Sequence, residues 1–249
     1  GIPVVSAHGW LALISLTALV VLGALLVRDF DSGFLNDRTS FAILHMAVAS
    51  FGFMGALAVG LSLVLIPMFV LSRSLPSLPG WAQAGLMALG LSLFSIAILL
   101  NLPSLKWFAL GAGLGAAWCY LWQMRNALKT SMRKRLGVPF VLMRLSWGLL
   151  VAALILAGLT LAGAPIPNVG TLTGFILIAG WLLTFLTGVL YRIMPFLASM
   201  HAAGKSGLPP LLSDLTADGP LKLHAASHLA ALAICSAGIA CAELAISMI

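Results

Sequence analysis

The chain has 249 residues, of which 61% are hydrophobic and only 8% are charged, and its mean hydropathy is +1.13. A soluble domain carries about 25% charged residues, so this composition excludes a water-exposed globular fold and indicates an integral membrane protein. The formal net charge of +7 does not indicate nucleic-acid binding, because the basic residues cluster in loops between apolar segments, where Lys and Arg set membrane orientation.

The apolar runs are far longer than the ~10 residues of a transmembrane barrel strand and do not alternate with polar residues, so they predict helices. At roughly 20 residues per crossing, the sequence predicts an all-α, polytopic membrane bundle of about seven transmembrane helices. The bundle is predicted to form a single integral membrane domain over residues 1–249. The predicted spans are approximately 7–27, 41–71, 81–100, 107–124, 140–162, 172–197 and 223–249.

The basic residues of the loops predict how the chain is oriented. One side of the predicted bundle carries most of them: Arg73, Arg125, Lys129, Arg133, Lys134, Arg135, Arg192, Lys205 and Lys222. The other side has Arg28, Arg38 and Lys106, two of which are mixed with aspartates. By the positive-inside rule we expect a cytoplasmic N-terminus and an external C-terminus in a bacterial inner membrane. No basic region precedes the first apolar run, so no cleavable signal sequence is expected.

The second and sixth predicted spans share a spaced pattern of small and helix-breaking residues. Three positions recur at one constant interval: Gly52, Gly60 and Pro67 in the second span, and Gly180, Gly188 and Pro195 in the sixth. Glycines seven or eight residues apart return to the same helix face, where they permit close approach of a backbone or a flat ligand. The pattern predicts a repeat that relates helices two and six, although two independent packing grooves would explain the same residues.

Three segments carry a resemblance to a known family: "AHGWLALISLTALVVLGALL", "LHMAVASFGFMGALAVGLSLVLIPMF" and "GWLLTFLTGVLYRIMPFL". They resemble the polytopic heme-binding proteins related to heme–copper oxidase subunit I, in particular the NnrS-like and C-type oxidase branches. Those helices begin with a histidine, continue through a glycine-rich face and end in a G-x-x-Y-x-x-x-P-F exit. Gly188, Tyr191, Pro195 and Phe196 fit that exit.

The resemblance implies a heme b cofactor, electron transport or sensing of a diatomic gas, and partner subunits in a respiratory or NO-related membrane assembly. The chain departs from the family in having about seven spans instead of about twelve. It also lacks the closely spaced histidines of an oxygen-reducing centre. We therefore expect a reduced form and not a complete oxygen reductase, with no catalytic residue assigned.

Histidines in apolar spans are candidate ligands, because ionisable groups are costly in a membrane and imidazole is a common metal ligand. His224 and His228 are four residues apart on one face of the last predicted helix, and they are the predicted metal-binding or heme-binding pair. An interfacial polar face is the alternative. His8 lies at a similar depth and is predicted to join this site if the first and seventh helices are neighbours. His201 is expected on the surface.

His45 enters the second predicted span from the outer side, and no other histidine lies at its level. The resemblance implies an outward-side heme ligand on this helix, so His45 is the fourth predicted cofactor-binding residue. Its second ligand is open between Met248, Cys241, Glu243 and a residue of another subunit. Glu243 is otherwise expected at the membrane interface.

The sequence therefore favours a heme-associated or redox-linked membrane protein that contacts the lipid bilayer and other membrane subunits. The alternatives are a non-catalytic accessory subunit without a cofactor and, less favoured, a transporter gated at Pro67 and Pro195. Copper is less favoured than heme, because the ten methionines are scattered and form no M-x-x-x-M series.

Overall fold

The structure, a computed structural model, describes residues 2–133, 136–206 and 215–246, with the backbone alone at 203–206 and 243–246. Every regular element in these ranges is a helix, and the described residues contain no β-strand. The prediction of an all-α chain is confirmed for this part. The physical reason is that a helix satisfies all of its backbone hydrogen bonds within one segment, which a membrane interior requires.

The helices form a succession of long rods. In chain order they are α1 (Ile2–Ser32), α2 (Arg38–Ala47), the π-helical segment π1 (Val48–Gly55), α3 (Ala56–Val70), α4 (Ser77–Leu99), α5 (Pro103–Lys129), α6 (Gly137–Leu161), α7 (Val169–Phe175), the π-helical segment π2 (Ile176–Leu183), α8 (Thr184–Ser206) and α9 (Asp218–Ile246). The segments α2, π1 and α3 are continuous and form one long helix, the second rod (Arg38–Val70). The segments α7, π2 and α8 are also continuous and form the rod that follows α6 (Val169–Ser206).

Six of the described helices are long and apolar enough to cross a membrane. They are Ile2–Ser32, Arg38–Val70, Ser77–Leu99, Gly137–Leu161, Val169–Ala202 and Asp218–Ala242. The chain is therefore a multi-pass helical membrane protein. Helix α5 is 27 residues long, but its tryptophans, glycines and Gln123 dilute its aliphatic content. The seventh span, predicted over 107–124, stays a prediction.

The chain divides into two compact units. The first unit contains Gly1–Arg133 and Leu154–Ala164, and the second contains Lys134–Ala153 and Pro165–Ile249. The boundary falls within α6. Both units are built from apolar helices, and the single membrane domain predicted over 1–249 stays a prediction.

In the first unit, glycines on the second helical rod allow α1 to pack closely. A Cβ atom added at Gly52 would lie 2.5 Å from Ser15 Oγ, and one added at Gly60 would lie 2.6 Å from His8 Cβ. Real Cβ atoms do not approach neighbours this closely, so both positions require glycine. The pairs Ser15–Gly52 and His8–Gly60 also show that α1 runs antiparallel to the second rod.

The second unit uses the same device between α6 and the rod that follows it. A Cβ atom added at Gly188 would lie 2.9 Å from both the Pro139 carbonyl oxygen and Met143 Cγ. At Gly180 the nearest α6 atom, Leu149 Cδ1, is 3.4 Å away. These are the small-residue contacts by which membrane helices associate.

The two π-helical segments occupy matching places in their rods. Segment π1 begins at Val48 and contains Gly52, while π2 begins at Ile176 and contains Gly180. The interval between the two segment starts equals the interval between the two glycines. A π-helical segment shifts the helix register and rotates the faces on either side of it, so both rods change their facing residues at the corresponding point.

Candidate functional site

His8 is a fully bonded core residue of the first unit. Its side chain is 1% exposed. Its Nδ1 lies 2.8 Å from the Val4 carbonyl oxygen and its Nε2 lies 3.1 Å from Gln83 Oε1. A carbonyl only accepts, so Nδ1 donates to Val4; Nε2 then bonds to Gln83 either as imidazolium or with the Gln83 amide turned to donate. Both ring nitrogens are occupied, which makes His8 a polar bridge between α1 and α4.

Two buried glutamines accompany His8, and sequence reasoning missed them. Gln83 and Gln123 are each 1% exposed. The Gln83 amide nitrogen lies 3.9 Å from Met87 Sδ, and the Gln123 amide donates to the Cys119 carbonyl oxygen at 3.2 Å. The available signal was that these are the only two glutamines of the chain, each within an apolar segment. They form a buried polar layer at one end of the first unit.

His45 differs from His8 in having a shielded nitrogen with no bond. Its Nδ1 is buried without a hydrogen-bond partner in the described part of the chain. The ring lies on α1 at Gly23, where an added Cβ atom would be 3.3 Å from His45 Cε1. The flanking residues Leu22 and Leu44 belong to an apolar cluster with Val48. A buried polar atom without a partner costs about 1–3 kcal/mol, and such atoms are rare in folded proteins.

In the second unit, α9 presents both of its histidines to the rod formed by α7, π2 and α8. His228 Nε2 lies 2.8 Å from Thr184 Oγ1, and the Thr184 hydroxyl donates to the Ala179 carbonyl oxygen at 3.0 Å. Because its one proton is used there, Thr184 accepts from His228 Nε2–H, which leaves His228 Nδ1 unprotonated in the neutral ring. The tautomer of His228 is thus set by the threonine at the start of α8.

His224 is held in a similar way by the tyrosine of the exit motif. The Tyr191 hydroxyl is hydrogen-bonded to His224 Nδ1, and the two rings meet edge-on with centroids 5.7 Å apart at 68°. His224 is exposed and His228 is half-buried. The nitrogens without a described partner are therefore His224 Nε2 and His228 Nδ1.

The predicted joint site of His8 with His224 or His228 stays a prediction, because His8 belongs to the first unit and the pair to the second. Among the described residues, no three His, Cys, Asp or Glu side chains are grouped so that they could hold a metal ion. Cys241 and His201 are exposed. Met248 and the side chain of Glu243 lie outside the described residues.

No family model, curated protein or solved structure matches the chain. The function is therefore argued from the contacts of its own residues.

Proposed function

We propose that the chain is a heme-associated, redox-linked membrane protein in which His45 supplies an axial ligand to a b-type heme. The observation that carries this proposal is the buried Nδ1 of His45, which has no hydrogen-bond partner in the described part of the chain. An imidazole nitrogen with no hydrogen bond is available for coordination. Gly23 lets the His45 ring lie directly against α1, where the Cβ atom of a larger residue would be only 3.3 Å from His45 Cε1.

The ligand chemistry favours heme over a bare metal ion. A structural or catalytic metal ion needs three or four protein ligands, whereas in the described residues His45 belongs to no group of three or more His, Cys, Asp or Glu side chains that could hold one. A heme brings four nitrogens of its own and asks the protein for one or two axial ligands. When bound, the heme supplies one-electron redox chemistry or binding of a diatomic gas. The protein's part is to hold the iron at His45 and exclude water with the surrounding apolar residues.

His224 and His228 form the second proposed ligand site. Ligating histidines generally bond their other ring nitrogen to a partner that fixes the ring orientation. Thr184 and Tyr191 bond one nitrogen of each histidine and leave the other available. This arrangement supports a metal or heme site completed by another membrane subunit, because the described residues of the chain provide no third ligand.

The finer fold and orientation assignments belong to the same proposal. The corresponding positions of π1 and π2, and the glycine contacts in each unit, support a repeat that relates helices two and six. The concentration of Lys and Arg on one side supports a cytoplasmic N-terminus and an external C-terminus in a bacterial inner membrane.

Hemin titration of the purified full chain in detergent tests the heme proposal. We expect a Soret band that saturates as heme is added and shifts on reduction with dithionite. His45→Ala should lose the component that belongs to the first unit, whereas His201→Ala, at an exposed histidine, serves as the matched control. The double replacement of His224 and His228 reports on the second site. No Soret band at saturating heme, or unchanged binding in His45→Ala, would overturn the assignment of His45.

A second candidate function is an accessory subunit that keeps the helix scaffold and has no cofactor. It is favoured by His8, whose two ring nitrogens are both hydrogen-bonded inside the protein. This function predicts that Ala at positions 8, 45, 224 and 228 leaves assembly with partner subunits intact. Loss of assembly together with loss of a Soret band would reject it.

A further inference from the structure

The acidic residues of the chain leave a long stretch without negative charge. They are Asp29, Asp31, Asp37, Asp214, Asp218 and Glu243, so positions 38–213 contain none. Several basic residues fall within that stretch. Their neutralisation must come from outside their own segment.

Contacts in the first unit show which basic residues lie at the same end. The hydrogen bond between His8 and Gln83 joins the beginnings of α1 and α4. A Cβ atom added at Gly80 would lie 3.6 Å from Gln123 Oε1, which places the end of α5 there as well. Ser131 Oγ donates to the Val70 carbonyl oxygen at 3.1 Å, so the end of α3 and the segment after α5 meet at this same end.

We call this end of the first unit the basic end, and it is defined by Arg73, Arg125, Lys129 and Arg133. The first three side chains are exposed and Arg133 is half-buried. The segment after α5 is held in place by Ser131, whose Oγ accepts a hydrogen bond from the Arg133 backbone N–H at 3.2 Å. The basic end carries four positive charges and no acidic residue.

The opposite end of the first unit is electrically balanced. Its positively charged residues are Arg28, Arg38 and Lys106, and its negatively charged residues are Asp29, Asp31 and Asp37. Arg38 Nε lies 3.8 Å from Asp29 Oδ2, and the Arg38 guanidinium stacks 3.4 Å above the Phe30 ring. The positive charge of this unit is therefore concentrated at one end.

Helix dipoles do not neutralise the basic end. Each helix C-terminus contributes about −0.5 elementary charge, and α3 and α5 both end there. The N-termini of α1 and α4 lie at the same end and contribute about +0.5 each, so the four helix termini cancel one another. About four positive charges therefore remain at this end of the unit.

We propose that the basic end binds the headgroups of anionic phospholipids. The charges sit within a few residues of the last turns of α3 and α5. Helix α3 ends the membrane-spanning helix Arg38–Val70, and the segment after α5 is hydrogen-bonded to that end, which is the headgroup level. Trp122, about one helical turn before Arg125, is 43% exposed and suits the interfacial region where tryptophan is enriched. A basic cluster next to a membrane helix attracts anionic lipid, and each Lys or Arg strengthens the attraction about five-fold.

The test is lipid selectivity of the full chain in nanodiscs that contain phosphatidylcholine with a minor fraction of phosphatidylglycerol. Lipids that stay bound after mild detergent extraction are quantified by mass spectrometry. We expect phosphatidylglycerol to be enriched in the bound fraction by at least about five-fold over the bulk. The enrichment should fall as salt is raised, because screening weakens attraction between exposed charges.

Two variants separate the basic end from the rest of the protein. A quadruple variant with Gln at positions 73, 125, 129 and 133 should abolish the enrichment of phosphatidylglycerol. A double variant at the balanced end, Arg28→Gln with Lys106→Gln, should preserve that enrichment. Equal retention of both lipids, or a salt-independent enrichment in the unaltered chain, overturns the proposal even if the quadruple variant does not fold. Enrichment of phosphatidylglycerol that persists in a folded quadruple variant also overturns the proposal. Displacement of the bound lipid by a soluble acidic protein, added at the same total negative charge as the lipid, overturns it as well.

Discussion

The contact between Ser15 and Gly52 allows a test of how closely α1 packs on π1. In Gly52→Ala, the new Cβ atom would lie 2.5 Å from Ser15 Oγ and 2.7 Å from Ser15 Cβ. The optimal separation of two carbon atoms is about 3.5–4.0 Å, so the overlap is close to 1 Å. Ser15 Cβ is fixed to the α1 backbone, and rotation of the side chain cannot relieve the contact. We expect the overpacking to cost about 1–3 kcal/mol of unfolding free energy.

A compensating change identifies the cause. Ser15→Gly removes both Ser15 atoms and leaves only Leu91 Cδ1 at 3.3 Å, the end of a flexible side chain that can shift, so the double variant exchanges the large and small residues across the interface. We expect it to recover most of the loss, apart from the roughly 0.5 kcal/mol by which Gly is less favourable than Ser in a helix. Gly85→Ala is the matched control, because nothing lies within 4 Å of a Cβ atom at that position.

Thermal unfolding in detergent, followed by far-ultraviolet circular dichroism, measures these effects. For a chain of this size, 1 kcal/mol corresponds to about 2–4 °C in Tm, so Gly52→Ala should unfold about 2–12 °C lower. Gly85→Ala should be unchanged or slightly more stable. A Tm for Gly52→Ala equal to that of the unaltered chain would refute the packing argument. Failure of Ser15→Gly to restore the Tm would refute the assignment of the contact.

Two further predictions concern hydrogen bonds. Thr184→Val removes the acceptor of His228 Nε2–H and should lower the unfolding free energy by about 1–3 kcal/mol; Thr187→Val, which removes only an exposed bond to its own helix, should cost less in the same denaturation assay. Hydrogen bonds from the Ser40 side chain and backbone N–H hold the pKa of Asp37 below its usual value of 3.8. Because the folded pKa is depressed, this stabilisation is present above the unfolded pKa and is lost as pH falls through the folded pKa. The protection of backbone amides at the start of α2 against hydrogen exchange, relative to the intrinsic exchange rate at the same pH, should therefore fall in acid. Asp37→Asn, which retains a capping side chain, should abolish that pH dependence.

The fold class was predictable because composition alone excludes a water-exposed surface. Runs of about 20 apolar residues can satisfy their backbone only as helices, and the structure contains them. The helix ends were less accessible, since α1 continues to Ser32 through charged residues that the hydropathy pattern places outside the span. Asp29 allows this continuation by accepting the Leu35 backbone N–H at 2.7 Å, a contact that no periodicity predicts.

The histidines were identifiable as unusual residues, but their bonding was not. The partner of His8 is Gln83, on a helix 75 residues further along the chain, and only folding brings the two together. Thr184 and Tyr191 likewise reach the α9 histidines across more than 30 residues. A sequence pattern places side chains on a face, whereas the identity of the facing residue depends on the packing of separate helices.

The predicted repeat provides an internal comparison for His45. Gly60 and Gly188 correspond in it, and each accommodates the preceding long helix: His8 lies against Gly60 and Met143 lies against Gly188. Close packing therefore requires the glycines in both units but does not require a histidine opposite them. Position 173 corresponds to His45 and holds Thr173, whose hydroxyl bonds the Val169 carbonyl oxygen of its own helix at 2.7 Å. A residue that satisfies its own polar group thus suffices at that place in the fold, so packing alone does not account for the shielded nitrogen of His45, and this is the reason for proposing His45 as a ligand.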